Sequence, residues 1–144
     1  KAAQYEMKGV PLRVEIGPKD MEKGQCCICR RDSGEKVFVP LAELESTVKE
    51  LLDAVHNGLY ERAKKNLEDH TKVCMTMDEV KEFMETEGGF AKTMWCGNLA
   101  CELAMKELAG VSSRCIPFNQ EKISDVCPVC GKPAKHMVYW GVAY

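Results

Sequence analysis

From Val10 to Ile16 the chain reads Val-Pro-Leu-Arg-Val-Glu-Ile, apolar and polar in alternation, and Gly17-Pro18 closes the run. That pattern predicts a half-buried strand. Lys19 to Gly24 reads as a turn or short helix. Gln25 to Arg31 returns as a strand, Asp32-Ser33-Gly34-Glu35 as a hairpin turn, and Lys36 to Val39 as its partner. The period then changes. Leu41, Leu44, Val48, Leu51, Leu52, Val55, Leu59, Ala63 and Leu67 recur at three- and four-residue steps, which predicts a helix to about His70. Such a helix spans roughly 45 Å at ~1.5 Å per residue. One small sheet cannot cover it, so it is expected to bridge two domains, with Gly58 as its weakest point.

The second half is punctuated more tightly. Thr76 and Glu79 form a capping box, with Met75 and Val80 as its hydrophobic staple, ahead of a helix from Met77 to about Glu87 that Gly88-Gly89 ends. Phe90 to Trp95 reads as a strand. Asn98 can cap a helix from Leu99 to Ala109, which Gly110 closes. Arg114 to Phe118 and His136 to Trp140 complete the elements. There is no internal repeat or low-complexity tract. The domains expected are 1–72, ending in the long helix, and 73–144.

Composition narrows the function classes. The 45% hydrophobic content is that of a folded globular chain, and the formal charge of −2 excludes a global basic field. Contact with nucleic acid must then come from local charge. Residues 1–40 hold eight Lys/Arg against six Asp/Glu, the 41–71 stretch is net acidic, and 126–144 holds Lys132 and Lys135 with no acid. No signal peptide or transmembrane run is visible. The chain starts Lys-Ala-Ala-Gln-Tyr without an initiator Met and enters a strand-like segment almost at once, so it reads as part of something longer.

Nine cysteines in 144 residues is a high count. It is odd, and the grouping fits a reduced, metal-binding protein better than a disulfide framework. Cys127-Pro128-Val129-Cys130-Gly131-Lys132 is a knuckle that aims two thiolates and several backbone N–H groups at one point. Cys96 and Cys101 flank the start of a helix whose positive end favours thiolate. Together they make a four-thiolate Zn²⁺ site of the closed, structural kind, with Lys132 and Lys135 to offset its charge. Two readings compete: spare buried thiols, and redox chemistry at Cys127/Cys130. Gly131-Lys132-Pro133 argues against the latter, because it cannot continue the helix a redox Cys-x-x-Cys opens. Cys26, Cys27 and Cys29 read as small apolar strand residues, Cys74 and Cys115 as lone structural thiols, and His70 as a helix-dipole partner.

Lys8-Gly-Val-Pro-Leu-Arg-Val-Glu-Ile-Gly-Pro-Lys-Asp20 resembles the anticodon-binding domain of class II aminoacyl-tRNA synthetases, in particular prolyl-tRNA synthetase. The later motifs keep the order of the eukaryote/archaeal-type form of that family. They are Arg30-Arg-Asp-Ser-Gly-Glu-Lys36, the long helix, Cys96-Gly-x3-Cys101-Glu102, Cys115-Ile-Pro-Phe118, Cys127-x2-Cys130-Gly-Lys132 and a terminal tyrosine, Tyr144. The resemblance covers essentially the whole chain. It implies an α/β fold: a mixed-sheet anticodon-binding domain lacking its first elements, then a small zinc-stabilised α/β domain. It implies a cytoplasmic enzyme fragment whose parent is a homodimer and joins proline to tRNA(Pro). ATP and Mg would be used by a catalytic domain not contained in this chain, so no catalytic residues are expected here.

Proline anticodons carry two adjacent guanines. By resemblance, Glu6, Arg13, Asp20 and Lys36 match the family's anticodon-contacting positions. Their chemistry suits guanine: two carboxylates for the N1–H and N2–H₂ donors, one fork for O6 and N7, and one ammonium for a base or phosphate. Arg30 and Arg31 are candidate phosphate contacts. On pattern alone, Arg13 is a solvent-face strand residue, Glu6 and Lys36 are surface charges, and Asp20 is a turn or cap residue. The resemblance also implies that the Tyr144 carboxylate docks toward the catalytic domain. Other readings are a zinc-bearing protein-interaction module without an RNA role and a synthetase of the threonyl or glycyl type, against which the zinc-bearing tail argues.

Overall fold

The computed structural model describes residues 2–143, so Tyr144 lies outside the described residues. The chain forms two compact units that divide between Lys65 and Asn66.

In the first unit, α1 (Ala2–Met7) precedes β1 (Leu12–Glu15), α2 (Pro18–Glu22), β2 (Gln25–Arg30) and β3 (Lys36–Pro40). The strands form an antiparallel sheet in the order β1-β2-β3. A 3₁₀ turn, Leu41–Glu43, leads into α3 (Leu44–Asp69). Alternation along the strands sorts the side chains. Leu12, Cys26, Ile28, Val37 and Val39 point to one face, where Leu44, Val48 and Leu51 of α3 cover them. Cys26 and Ile28 are fully buried there. Arg13, Glu15, Cys27, Cys29, Lys36 and Phe38 therefore occupy the opposite face. Beyond Val55, residues 60–69 of α3 are exposed throughout, as expected of a helix longer than its sheet. It runs unbroken through Gly58.

The hairpin between β2 and β3 is tied to α3 by a short polar stack. Arg30 donates through Nε and Nη2 to the two Asp32 oxygens at 3.1 and 2.8 Å, and reaches the Ala54 carbonyl at 3.5 Å. Arg30 is thus committed to structure. The Arg30 guanidinium holds the Asp32 carboxyl below its ordinary 3.8. A lowered folded pKa means that the pair contributes fully above the unfolded value and loses its contribution as pH falls through the folded one. Protection of the amides of Ser33 to Lys36, relative to their intrinsic exchange rates, is expected to fall below about pH 4, and Asp32→Asn should abolish that dependence.

The second unit contains β4 (Thr71–Val73), α4 (Met77–Thr86), β5 (Phe90–Trp95), α5 (Leu99–Ala109), β6 (Val111–Cys115) and β7 (His136–Val142). The sheet order is β4-β5-β7-β6, with β4 parallel to β5 and the remaining pairs antiparallel. Both units together make the mixed α/β class expected from the sequence. Val80 and Phe83 of α4 and Met105 of α5 pack on Ala91, Val111, Val138 and Trp140. Thr76 caps α4 by accepting from Glu79 N at 3.2 Å, and Glu79 reaches back to Met75 N at 2.6 Å, one residue earlier than the usual box.

Three elements differ from the sequence expectation. Residues 2–7, to which the sequence pattern assigns no element, are helical, because Ala, Gln, Glu and Met are good helix formers and no alternation opposes them. β4 has only three residues, too few to show a period, and exists through its parallel pairing with β5. β6 starts at Val111, directly after Gly110 in the left-handed conformation, and ends before Ile116-Pro117, where proline lacks the ladder donor.

Gly89 is a tight point. It has φ +118, and a Cβ there would lie 2.3 Å from the His70 carbonyl oxygen. Gly89→Ala is expected to cost at least about 2 kcal/mol in urea unfolding, because neither the backbone angle nor the carbonyl can yield cheaply.

Candidate metal centre and nucleic-acid face

Cys96 follows the last residue of β5, and Cys101 lies in the first turn of α5. Asn98 fixes the connection: its Oδ1 accepts from Ala100 N at 2.9 Å, and its carbonyl accepts from Cys101 N and from Trp95 Nε1. The knuckle is closed by Gly131 N to Cys127 O and Cys127 N to Lys132 O, both 2.9 Å, with Gly131 at φ 69. Lys135 N donates to Trp95 O at 2.8 Å, which lays the knuckle beside the end of β5 as the chain enters β7. Two segments far apart in sequence are thereby brought to one place.

The four sulfurs all lie within 4.8 Å of one another, and Cys96 Sγ and Cys130 Sγ are 3.8 Å apart. A disulfide needs ~2.05 Å. A tetrahedron with ~2.3 Å metal–sulfur bonds has sulfur–sulfur edges of roughly 3.8 Å. The donor set and spacing therefore fit a dication, and this cluster can hold a metal ion. Cys96, Cys101 and Cys127 are buried against Trp95 and Val129, while Cys130 is at the surface. Burial, aided by hydrogen bonds with Cys130 and Cys96, pushes the Cys101 thiol up to about 12. The Lys132 backbone N–H brings Cys130 down to about 7. Cys130 therefore ionises more readily than Cys101, and a dication among the sulfurs would offset the cost that burial puts on the Cys101 thiolate. Among the remaining cysteines, Cys26, Cys27 and Cys74 are buried, Cys29 is half-buried and Cys115 is exposed. His70 Nδ1 lies 2.8 Å from Asn66 O at the end of α3.

In the first unit, the candidate RNA contacts meet on the sheet face that α3 leaves open. Register pairs Arg13 with Cys29 and Cys29 with Lys36, so these three form one row across the strands. Arg13 Nη1 donates to Glu6 Oε1 at 2.6 Å and Arg13 Nε to Glu15 Oε1 at 2.8 Å, while Lys36 Nζ lies 3.7 Å from Glu15 Oε2. Glu6, Arg13, Glu15 and Lys36 thus form a chain of alternating charge. Asp20 stands outside it. Its Oδ2 accepts from Gly17 N at 3.0 Å and its Oδ1 lies 3.4 Å from Gln25 Nε2. Gln25 alternates with Cys27 and Cys29, so Asp20 borders the same face while also capping α2. Sequence reasoning missed Glu15, the carboxylate that links Arg13 to Lys36. Its place two residues after Arg13 on an alternating strand was the available signal. Arg30 takes no part in this row, because Asp32 holds its guanidinium on the hairpin.

Residues 77–144 match the family described as "Prolyl-tRNA synthetase, C-terminal", and residues 1–51 match "Anticodon binding domain". The whole chain is 56% identical to a proline–tRNA ligase of Clostridium novyi, 54% to one of Oceanobacillus iheyensis and 52% to one of Clostridium botulinum. In each case it spans 30% of that relative's length. Residues 1–51 are thus similar to anticodon-binding domains, and residues 77–144 to the C-terminal part of prolyl-tRNA synthetases. No helix among the described residues is long and apolar enough to cross a membrane.

Proposed function

We propose that this chain selects tRNA(Pro) by its anticodon, on behalf of a proline–tRNA ligase that joins proline to that tRNA with ATP and Mg bound elsewhere. The observation that carries this reading is the chain of ion pairs from Glu6 through Arg13 and Glu15 to Lys36 on the sheet face away from α3, with Asp20 at its border, within a unit of anticodon-binding type. The chemistry is complementary to guanine. Glu6 can accept N1–H and N2–H₂, and the free N–H groups of Arg13 can reach O6 beside them. Because Glu6 and Arg13 already hold each other, acceptor and fork meet the base preset, which reduces the ordering cost of binding. Lys36 supplies an ammonium for a base or phosphate.

The four-cysteine cluster is assigned to Zn²⁺, bound by Cys96, Cys101, Cys127 and Cys130. All four positions are filled by protein, so the ion holds β5, α5 and the knuckle together and leaves no site for hydrolysis. The division intended is 1–72 for RNA reading and 73–144 for the zinc-bearing unit. The motif order supports the eukaryote/archaeal-type architecture; the relatives named above are bacterial, so the type describes domain arrangement, not source. The reading extends to a cytoplasmic homodimer.

The experiment is titration of an RNA stem-loop carrying the proline anticodon, across about 50–200 mM salt. Binding is expected to weaken steeply with salt and to be competed by tRNA(Pro) far better than by a non-cognate tRNA. Salt-insensitive or anticodon-indifferent binding contradicts the proposal.

A further inference from the structure

Phe38 is 62% exposed although it sits in the middle of β3. It is not a core residue out of place. Its neighbours Val37 and Val39 fill the face against α3, and alternation obliges Phe38 to face the other way. That other face is the one bearing the charged chain. Register puts Phe38 opposite Cys27, and Cys27 opposite Glu15, so Glu15–Cys27–Phe38 is the row next to Arg13–Cys29–Lys36. Adjacent rows are ~7 Å apart along a strand, and strands ~4.8 Å apart. The ring thus stands one row from Lys36 on its own strand, and one row and two strands from Arg13 on the same face.

We infer that Phe38 is the stacking platform for an unpaired base of the RNA bound at the Glu6–Arg13–Lys36 face. This rests on the anticodon reading above and deepens it by naming the partner as a splayed single strand. A base turned out of its own stack loses π contacts, and an aromatic ring restores them regardless of base identity. Charge alone could position the phosphates and read base edges. It would leave the base faces in water. A ring beside an ammonium and a guanidinium supplies the missing surface, with hydrogen-bond groups to one side and an apolar plane to the other.

The test uses the full-length protein and an anticodon stem-loop with 2-aminopurine placed in turn at each loop position. In the unmutated protein one position is expected to show quenching on binding. Phe38→Leu, which keeps an apolar side chain at this exposed site, should weaken binding ~5- to 150-fold and remove that quenching. It should leave the salt slope unchanged, since no charge is lost. Phe38→Trp should restore both affinity and quenching. If Phe38→Leu and Phe38→Ala bind and quench as the unmutated protein does, while Arg13→Ala still weakens binding, the platform is refuted and the anticodon reading stands. If the unmutated protein shows no preference for the proline anticodon, both fall.

Discussion

Replacing Cys127 with serine is expected to empty the proposed metal site and strongly destabilise the second unit. Cys127 is 1% exposed and supplies one of the four sulfurs that lie within 4.8 Å of one another. A serine oxygen is a poor fourth ligand among thiolates. The buried Cys101 thiol would then have to stay protonated or hold charge without a metal beside it. Structural zinc contributes about 10–16 kcal/mol in isolated zinc-finger peptides. This unit also has an apolar core around Phe83 and Trp140, so only part of that is at stake. A loss of about 3 kcal/mol or more is expected, which lowers Tm by roughly 12–24 °C for a unit of this size. Metal analysis should fall from one zinc per chain to near none. Cys115→Ser is the control: Cys115 is exposed and outside the cluster, so zinc and Tm should not change. Lowering pH should release the metal from the unmutated protein, because protons and zinc compete for the same sulfurs.

The second large effect is on discrimination. Arg13→Ala removes the guanidinium that joins Glu6 to Glu15. The loss expected in preference for guanine is ~1–3 kcal/mol, a factor of about 5 to 150. Two consequences separate this from a general weakening. Glu6 loses its hydrogen-bonded anchor, so Glu6→Ala and Arg13→Ala should be non-additive. Arg13→Lys should restore the salt dependence but not the discrimination, since an ammonium cannot offer two parallel donors. The measurement is the ratio of dissociation constants for stem-loops with guanine and with adenine at the anticodon positions.

The four-cysteine cluster was legible in the sequence because its chemistry sits in short-range patterns. A Cys-x-x-Cys-Gly knuckle and a cysteine pair at a helix start each have local geometry, and the structure brings all four sulfurs together. Caps, glycine stops and the long amphipathic helix were readable for the same reason. The rest depended on pairing. β4 and the start of β6 are set by their partners in the sheet, and no local period announces them. The charged chain on the open face is a matter of register: Arg13 and Lys36 lie on strands β1 and β3, and only the three-strand ladder makes them neighbours. Glu15 and Phe38 went unremarked because on a strand of one chain they are only a carboxylate and an aromatic ring. Their meaning comes from the row across.

The central claim is tested most directly by affinity for the proline anticodon stem-loop and for the versions in which each guanine is replaced by adenine. It should be measured on protein whose zinc content is determined in the same sample. The expected result is one zinc per chain, at least about tenfold weaker binding for either replacement, and collapse of that difference in Arg13→Ala. Equal affinity for all the loops by the zinc-loaded, unmutated protein would contradict it.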